Sequence, residues 1–160
     1  MIVTLSDFNN EAKIPGLFPI IGSSDPVNVA IQNEVNSFIE EYEPVYLEMF
    51  FNTSEEIQEI EDYNDLEEKT DERKNELIKS LKVAIANFVA FYLFRDNTTF
   101  NTSIGAIIPR GESGAKTNNV NRSVFVWNKM AKETRKAYRV YYRKCIKKDA
   151  IFQDINIFGV

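Results

Sequence analysis

A chain of 160 residues, 44% hydrophobic and 27% charged, is long enough to build one domain around a proper apolar core. It has no histidine, one cysteine and a net charge of −5. The first two counts exclude Ser-His-Asp catalysis, imidazole metal ligation and an internal disulfide framework, and the charge argues against non-specific duplex binding by the whole molecule.

Residues 1–24 mix apolar pieces (Ile2 to Leu5; Ile14, Leu17, Phe18, Ile20, Ile21) with Pro15, Gly16, Pro19 and Gly22. They read as an irregular arm lying on a surface. The basic region and continuous apolar run of a signal peptide are missing. Asp25 then supplies a cap and Pro26 suits a first helical turn. Val27, Ile31, Val35, Phe38 and Ile39 follow helical spacing, and the pattern runs to about Tyr42. Pro44 either kinks this helix or begins a second one carrying Val45, Leu47, Met49, Phe50 and Phe51. Thr53 and Glu56 are spaced as a capping box, followed by a short acidic helix and an exposed connection to Asp71.

A long helix is predicted from about Glu72 to Arg95, with Leu77, Leu81, Ile85, Phe88 and Tyr92 as its stripe. Its apolar run, Val83 to Phe94, is twelve residues long, below the roughly 20 of a bilayer span. It predicts a core helix in a protein made and folded in the cytoplasm. Residues 96–121, rich in Asn, Thr, Ser and Gly, are long for a passive loop. Ile104 to Ile108 suits one strand of a small hairpin, with Gly111 to Gly114 as the turn. The last helix is predicted over 122–148 with Asn121 as cap. Its apolar stripe is Trp127, Met130, Thr134, Tyr138, Tyr141 and Cys145, and Cys145 reads as a buried inert thiol. Residues 149–160 form an apolar tail. The whole, 1–160, is one mainly all-α domain: a bundle of about four helices, a loop or hairpin near 96–121, and extended arms at both ends.

Charge is segregated along this framework. Glu40 to Glu76 holds fifteen carboxylates against Lys69, Arg73 and Lys74, whereas Lys129 to Lys148 holds nine Lys or Arg against Glu133 alone. No phosphate-binding loop and no EF-hand pattern occurs, so the carboxylates read as a solvated face. No catalytic residue, cofactor or metal is expected. Lys132, Lys136, Arg139, Arg143 and Lys147 recur at helical spacing on one face of the last helix. That face suits solvation, phosphate binding, or pairing with the acidic segment in the same or a neighbouring subunit. The acidic partners would be Glu55, Glu56, Glu59, Glu61, Asp62, Glu67 and Glu68, and the expectation is that the two faces meet across a subunit boundary. The tail either folds back on its own domain or docks elsewhere, with Phe152, Ile155 and Phe158 as anchors.

Two stretches carry a family resemblance. Phe38 to Leu47, containing Tyr42, Glu43, Pro44, Tyr46 and Leu47, resembles the I-x-x-Y-E-P-x-Y-L segment of small proteins from structural-gene clusters of tailed bacteriophages, especially those of Bacteroidetes hosts. Ser103 to Ala106, Gly111 to Ser113, and Trp127-Asn128-Lys129-Met130 resemble the same group's second half. The group is similar to head–tail connector (adaptor, head-completion) proteins. The resemblance implies a helical, non-enzymatic subunit that forms a ring, typically of twelve copies, beneath the portal. Its implied partners are further copies, the portal, the next neck or tail ring, and DNA passing through the channel without sequence-specific contact. Its implied place is the neck of the virion, with the C-terminal segment reaching the portal. The arm and tail match no pattern of the group. A nucleic-acid-binding regulator using the basic helix is the competing expectation, and a helical inhibitor or adaptor acting on a host enzyme is a third.

Overall fold

Helix α1 (Pro26–Phe50) begins where Asp25 caps it, its carboxylate accepting the N–H of Val27 at 3.0 Å and of Asn28 at 3.4 Å. Just before it, Gly22 takes the left-handed backbone (φ 78°) that glycine adopts freely, and its N–H donates to the Gln32 side chain. The computed structural model describes residues 1–14, 17, 21–96, 100–102, 105–107, 116–142 and 152–153. The fold is all-α, with four α-helices among the described residues: α1, α2 (Ser54–Asp65), α3 (Glu72–Asp96) and α4 (Lys116–Tyr142).

Pro44 neither breaks nor restarts α1, which runs through it as one helix. Pro44 and Glu40 both lie on the exposed side, where water can satisfy the carbonyl that lacks its N–H partner. The Thr53 hydroxyl caps α2 by accepting the Glu56 N–H at 3.3 Å, but the Glu56 carboxylate accepts from Asn52 and not from Thr53. Asp71 caps α3 through the N–H groups of Arg73 and Lys74. Helix α4 starts at Lys116, earlier than expected, so Asn121 lies inside it and is no cap. The run from Lys116 to Asn121 has Val120 as its one apolar residue, too little for a periodicity that would have marked it as helix. Strands β1 (Phe100–Thr102) and β2 (Gly105–Ile107) form one antiparallel pair with Phe100 opposite Ile107. The partner of β2 therefore precedes it, and Gly111 to Gly114 is not the turn between them.

Helix α3 is the axis of the bundle, packed along α4 and against α1 and α2. By length and composition alone it could cross a membrane. Here Leu81 and every residue from Ala84 to Ala90 are buried inside the bundle, as a core helix requires. Tyr46, Phe88, Met130, Ile39 and Leu81 fill the centre. The N-terminal residues correct the expectation of an extended surface arm. Ile2, Val3, Phe8, Ala12 and Leu17 are buried in the same core, around two short 3-10 turns, Leu5–Asp7 and Asn10–Ala12. Burying side chains of this size contributes roughly 1.5–3 kcal/mol each, enough to hold an irregular segment down.

Candidate functional site

The motif residues on α1 face inward and tie the bundle together. Glu43 is a buried carboxylate, 3% exposed, whose oxygens accept the N–H groups of Ile2 at 2.5 Å and Val3 at 3.0 Å. Burial pushes its pKa up, opposed by those two donors and by the Met1 ammonium. Tyr42 stacks on Tyr92 with ring centroids 4.1 Å apart, and Leu47 is buried. The Tyr46 hydroxyl meets that of Thr134 in the buried centre, and burial raises its pKa. Of Tyr42, Glu43, Pro44, Tyr46 and Leu47, Pro44 is the exposed one. On α4, Met130 is buried and Trp127 and Asn128 are half-buried. Most of these residues build the fold.

Phe152 corrects the expected docking anchor. It is 4% exposed, stacked on Tyr46 at 5.5 Å and set against Phe88 and Trp127, while the Trp127 indole N–H donates to the Gln153 carbonyl at 2.7 Å. An aromatic ring left in water gains more from this socket than from exposure, so this part of the tail folds back on its own domain. Ile155 and Phe158 lie outside the described residues.

The acidic segment also differs from expectation, because much of it is engaged within the chain. Glu59 pairs with Lys74 at 2.6 Å, Glu61 with the Met1 ammonium at 2.8 Å, and Asp62 accepts from Gln58. Glu56 accepts from the Tyr141 hydroxyl, and Glu76 lies 3.5 Å from Lys136 of the basic face. The start of α3 runs beside the end of α4, where Arg73 donates from Nε to the Val140 carbonyl at 2.7 Å and from a terminal nitrogen to that of Tyr141. Acidic segment and basic helix thus meet inside one molecule at Lys136. Partial burial and the Glu56 carboxylate push the pKa values of Tyr141 and Tyr142 up to about 12. Glu55, Glu67 and Glu68 remain exposed on the surface.

A cleft of about 200 Å³ lies at this junction, lined by Glu59, Asp71, Arg73, Lys74, Leu77 and Tyr141. Its Lys74 and Arg73 are already committed to Glu59 and to α4 carbonyls, which leaves it a seam between helices. Among the described residues no three Cys, Asp or Glu side chains stand together as metal ligands.

Among the described residues, apolar surface open to a partner includes the outer faces of α1 and α4, besides Met1, Ile21 and Leu66. Val27 is 69% exposed, Val45 42% and Ile31 37%, while Phe125 on α4 is 57% exposed. Lys132, Lys136 and Arg139 are exposed on the same side of α4 as Phe125, and Arg143 and Lys147 lie outside the described residues. The outer stripe of α1 was not separable in sequence from its core stripe, because both fit helical spacing. No family model, curated protein sequence or solved structure matches the chain.

Proposed function

We propose that this chain is a structural, non-enzymatic subunit of the head–tail connector of a tailed bacteriophage. About twelve copies form a ring beneath the portal, extend the DNA channel and seat the tail. The virion neck is its site of action, and further copies, the portal and the next neck ring are its partners. DNA passes through without sequence-specific contact. The resemblance over Phe38 to Leu47 and Trp127 to Met130 supports this reading. The structural observation that carries it is the apolar and acidic outer face of α1, which the chain's own fold leaves uncovered at Val27, Ile31 and Val45. The segment beyond residue 153, with Ile155 and Phe158, is the portal-facing end in this proposal.

Phage produced without this chain should accumulate DNA-filled heads that carry no tails. Infectious, tailed particles lacking it would end this reading. The basic stripe of α4 supports the competing one, a nucleic-acid-binding regulator. Gel-shift of a duplex at physiological salt, abolished by reversing Lys132 and Arg139, together with normal particles lacking the chain, would replace the connector with that regulator.

A further inference from the structure

On a helix with 3.6 residues per turn, Val27, Ile31, Glu34, Phe38, Glu41, Val45 and Glu48 fall within one narrow arc of α1. All of them are exposed except half-buried Phe38. The core residues Val35, Ile39, Glu43, Tyr46 and Phe50 occupy a separate arc. From Ile31 onward the outer arc therefore alternates apolar and acidic side chains, and α1 contains no Lys or Arg at all. Phe125, Lys132, Lys136 and Arg139 form the corresponding outer arc of α4, one exposed aromatic ring followed by cations. None of Glu34, Glu41, Lys132 and Arg139 has an ion-pair partner among the described residues.

The two arcs also share an interval. Val27, Glu34 and Glu41 are seven residues apart, as are Phe125, Lys132 and Arg139. Seven residues are two helical turns, roughly 10.5 Å, so the same interval keeps each set on one line of its helix. Laid side by side in parallel, the lines match apolar to apolar and acid to base at every step: Phe125 on Val27, Lys132 on Glu34, Arg139 on Glu41. Near-parallel helices pack this way at shallow crossing angles.

We infer that the outer arc of α1 on one copy seats against the outer arc of α4 on the next copy. The contact joins two different surfaces, so it is heterologous and repeats from subunit to subunit, closing into a ring where the rotation allows. This inference rests on the self-assembly in the proposed function and names the faces that perform it. Lys136 stays with its own Glu76 and lies outside the matched set. The apolar positions supply contact area, and the charges select register and reject a second α1 or a second α4.

Charge reversal separates this from other contacts. Lys132→Glu with Arg139→Glu makes both faces acidic, and Glu34→Lys with Glu41→Lys makes both basic. All four side chains are exposed, so circular dichroism and melting of either variant should match the parent. In sedimentation velocity at rising protein concentration the parent should self-associate, and each variant should associate at least ~100-fold more weakly. Mixing the two variants in equal amounts should restore association, because each then offers the face the other needs. Combining all four substitutions in one chain should restore it as well. Folded variants that associate like the parent, or a mixture that stays monomeric, overturn the interface. A parent chain that stays monomeric to ~1 mM overturns it too, while the presence or absence of tails on particles lacking the chain still decides the connector reading separately.

Discussion

The Tyr46 hydroxyl lies 2.6 Å from the Thr134 hydroxyl in the buried centre, joining α1 to α4 across a span of 88 residues. Thr134 donates its proton to the Met130 carbonyl at 2.8 Å, which leaves Tyr46 as the donor between the two hydroxyls. The pair is therefore asymmetric. Tyr46→Phe leaves Thr134 still bonded to Met130 and should cost about 0.5–1.5 kcal/mol. Thr134→Val strands a buried phenol hydroxyl and should cost about 1–3 kcal/mol. Urea unfolding of both variants checks the order. Equal losses, or a larger loss for Tyr46→Phe, would show that the proton arrangement is otherwise.

The starts of the helices were legible because local chemistry marks them: Asp25-Pro26, Thr53 and the charged run at Glu72 each stand at or next to a helix start. The beginning of α4 was not, since Lys116 to Asn121 is polar apart from Val120 and gains its helical state by continuing a helix packed further along. The burial of Ile2, Val3 and Phe8 was also hidden. Nonperiodic apolar residues say that something covers them without saying what. Val27, Ile31, Val35, Phe38 and Ile39 satisfy one helical period, yet the structure divides them into an outer and an inner set. A 3.6-residue repeat tolerates a wide arc, and only the position of α3 decides which edge is buried. The role of Glu43 depends on backbone N–H groups about forty residues away, which no spacing rule reaches.

Glu43 gives a pH signature with a definite sign. Burial raises its pKa above the ordinary 4.5, against the opposing influence of the Ile2 and Val3 N–H groups and the Met1 ammonium, with Glu61 adding to the rise. The folded state thus binds a proton where the unfolded chain has released it. The stability from this group is full below 4.5 and falls as pH rises through the elevated folded value. Glu43→Gln cannot titrate, and it places an amide donor against one of the two N–H groups, at a cost of about 1–3 kcal/mol. Melting both proteins from neutral pH down toward 4.5 should show the parent gaining on the variant. A constant gap would mean that Glu43 carries no shifted pKa.

Arg73 should hold the last turn of α4 in place, because its guanidinium bridges the Val140 and Tyr141 carbonyls as a two-pronged donor. Carbonyls in a final turn lack intrahelical partners, and a lysine ammonium cannot reproduce the fork. Arg73→Lys should speed hydrogen exchange at the amides of 140–142 while leaving Leu81 to Val89 protected. Global stability should change by no more than about 1 kcal/mol, since the side chain is exposed. Unchanged exchange in the last turn of α4 would show that the bridge does not restrain it.

Phe152 should behave as a core residue although it stands near the chain's end. Its ring meets Tyr46, Phe88 and Trp127, and Gln153 beside it accepts from the Trp127 indole. Phe152→Ala removes an aromatic side chain from a closed socket, at a cost of about 3 kcal/mol. For a domain of this size that corresponds to a fall in Tm of roughly 6–12 °C. Trp127 is the chain's one tryptophan, so its emission reports on the socket directly and should move to longer wavelength as water reaches the ring. Deleting residues 150–160 should produce both effects together. A truncated protein that melts like the parent with unchanged emission would show that the tail does not seat in the core, and would return Phe152 to the role of an outward docking anchor.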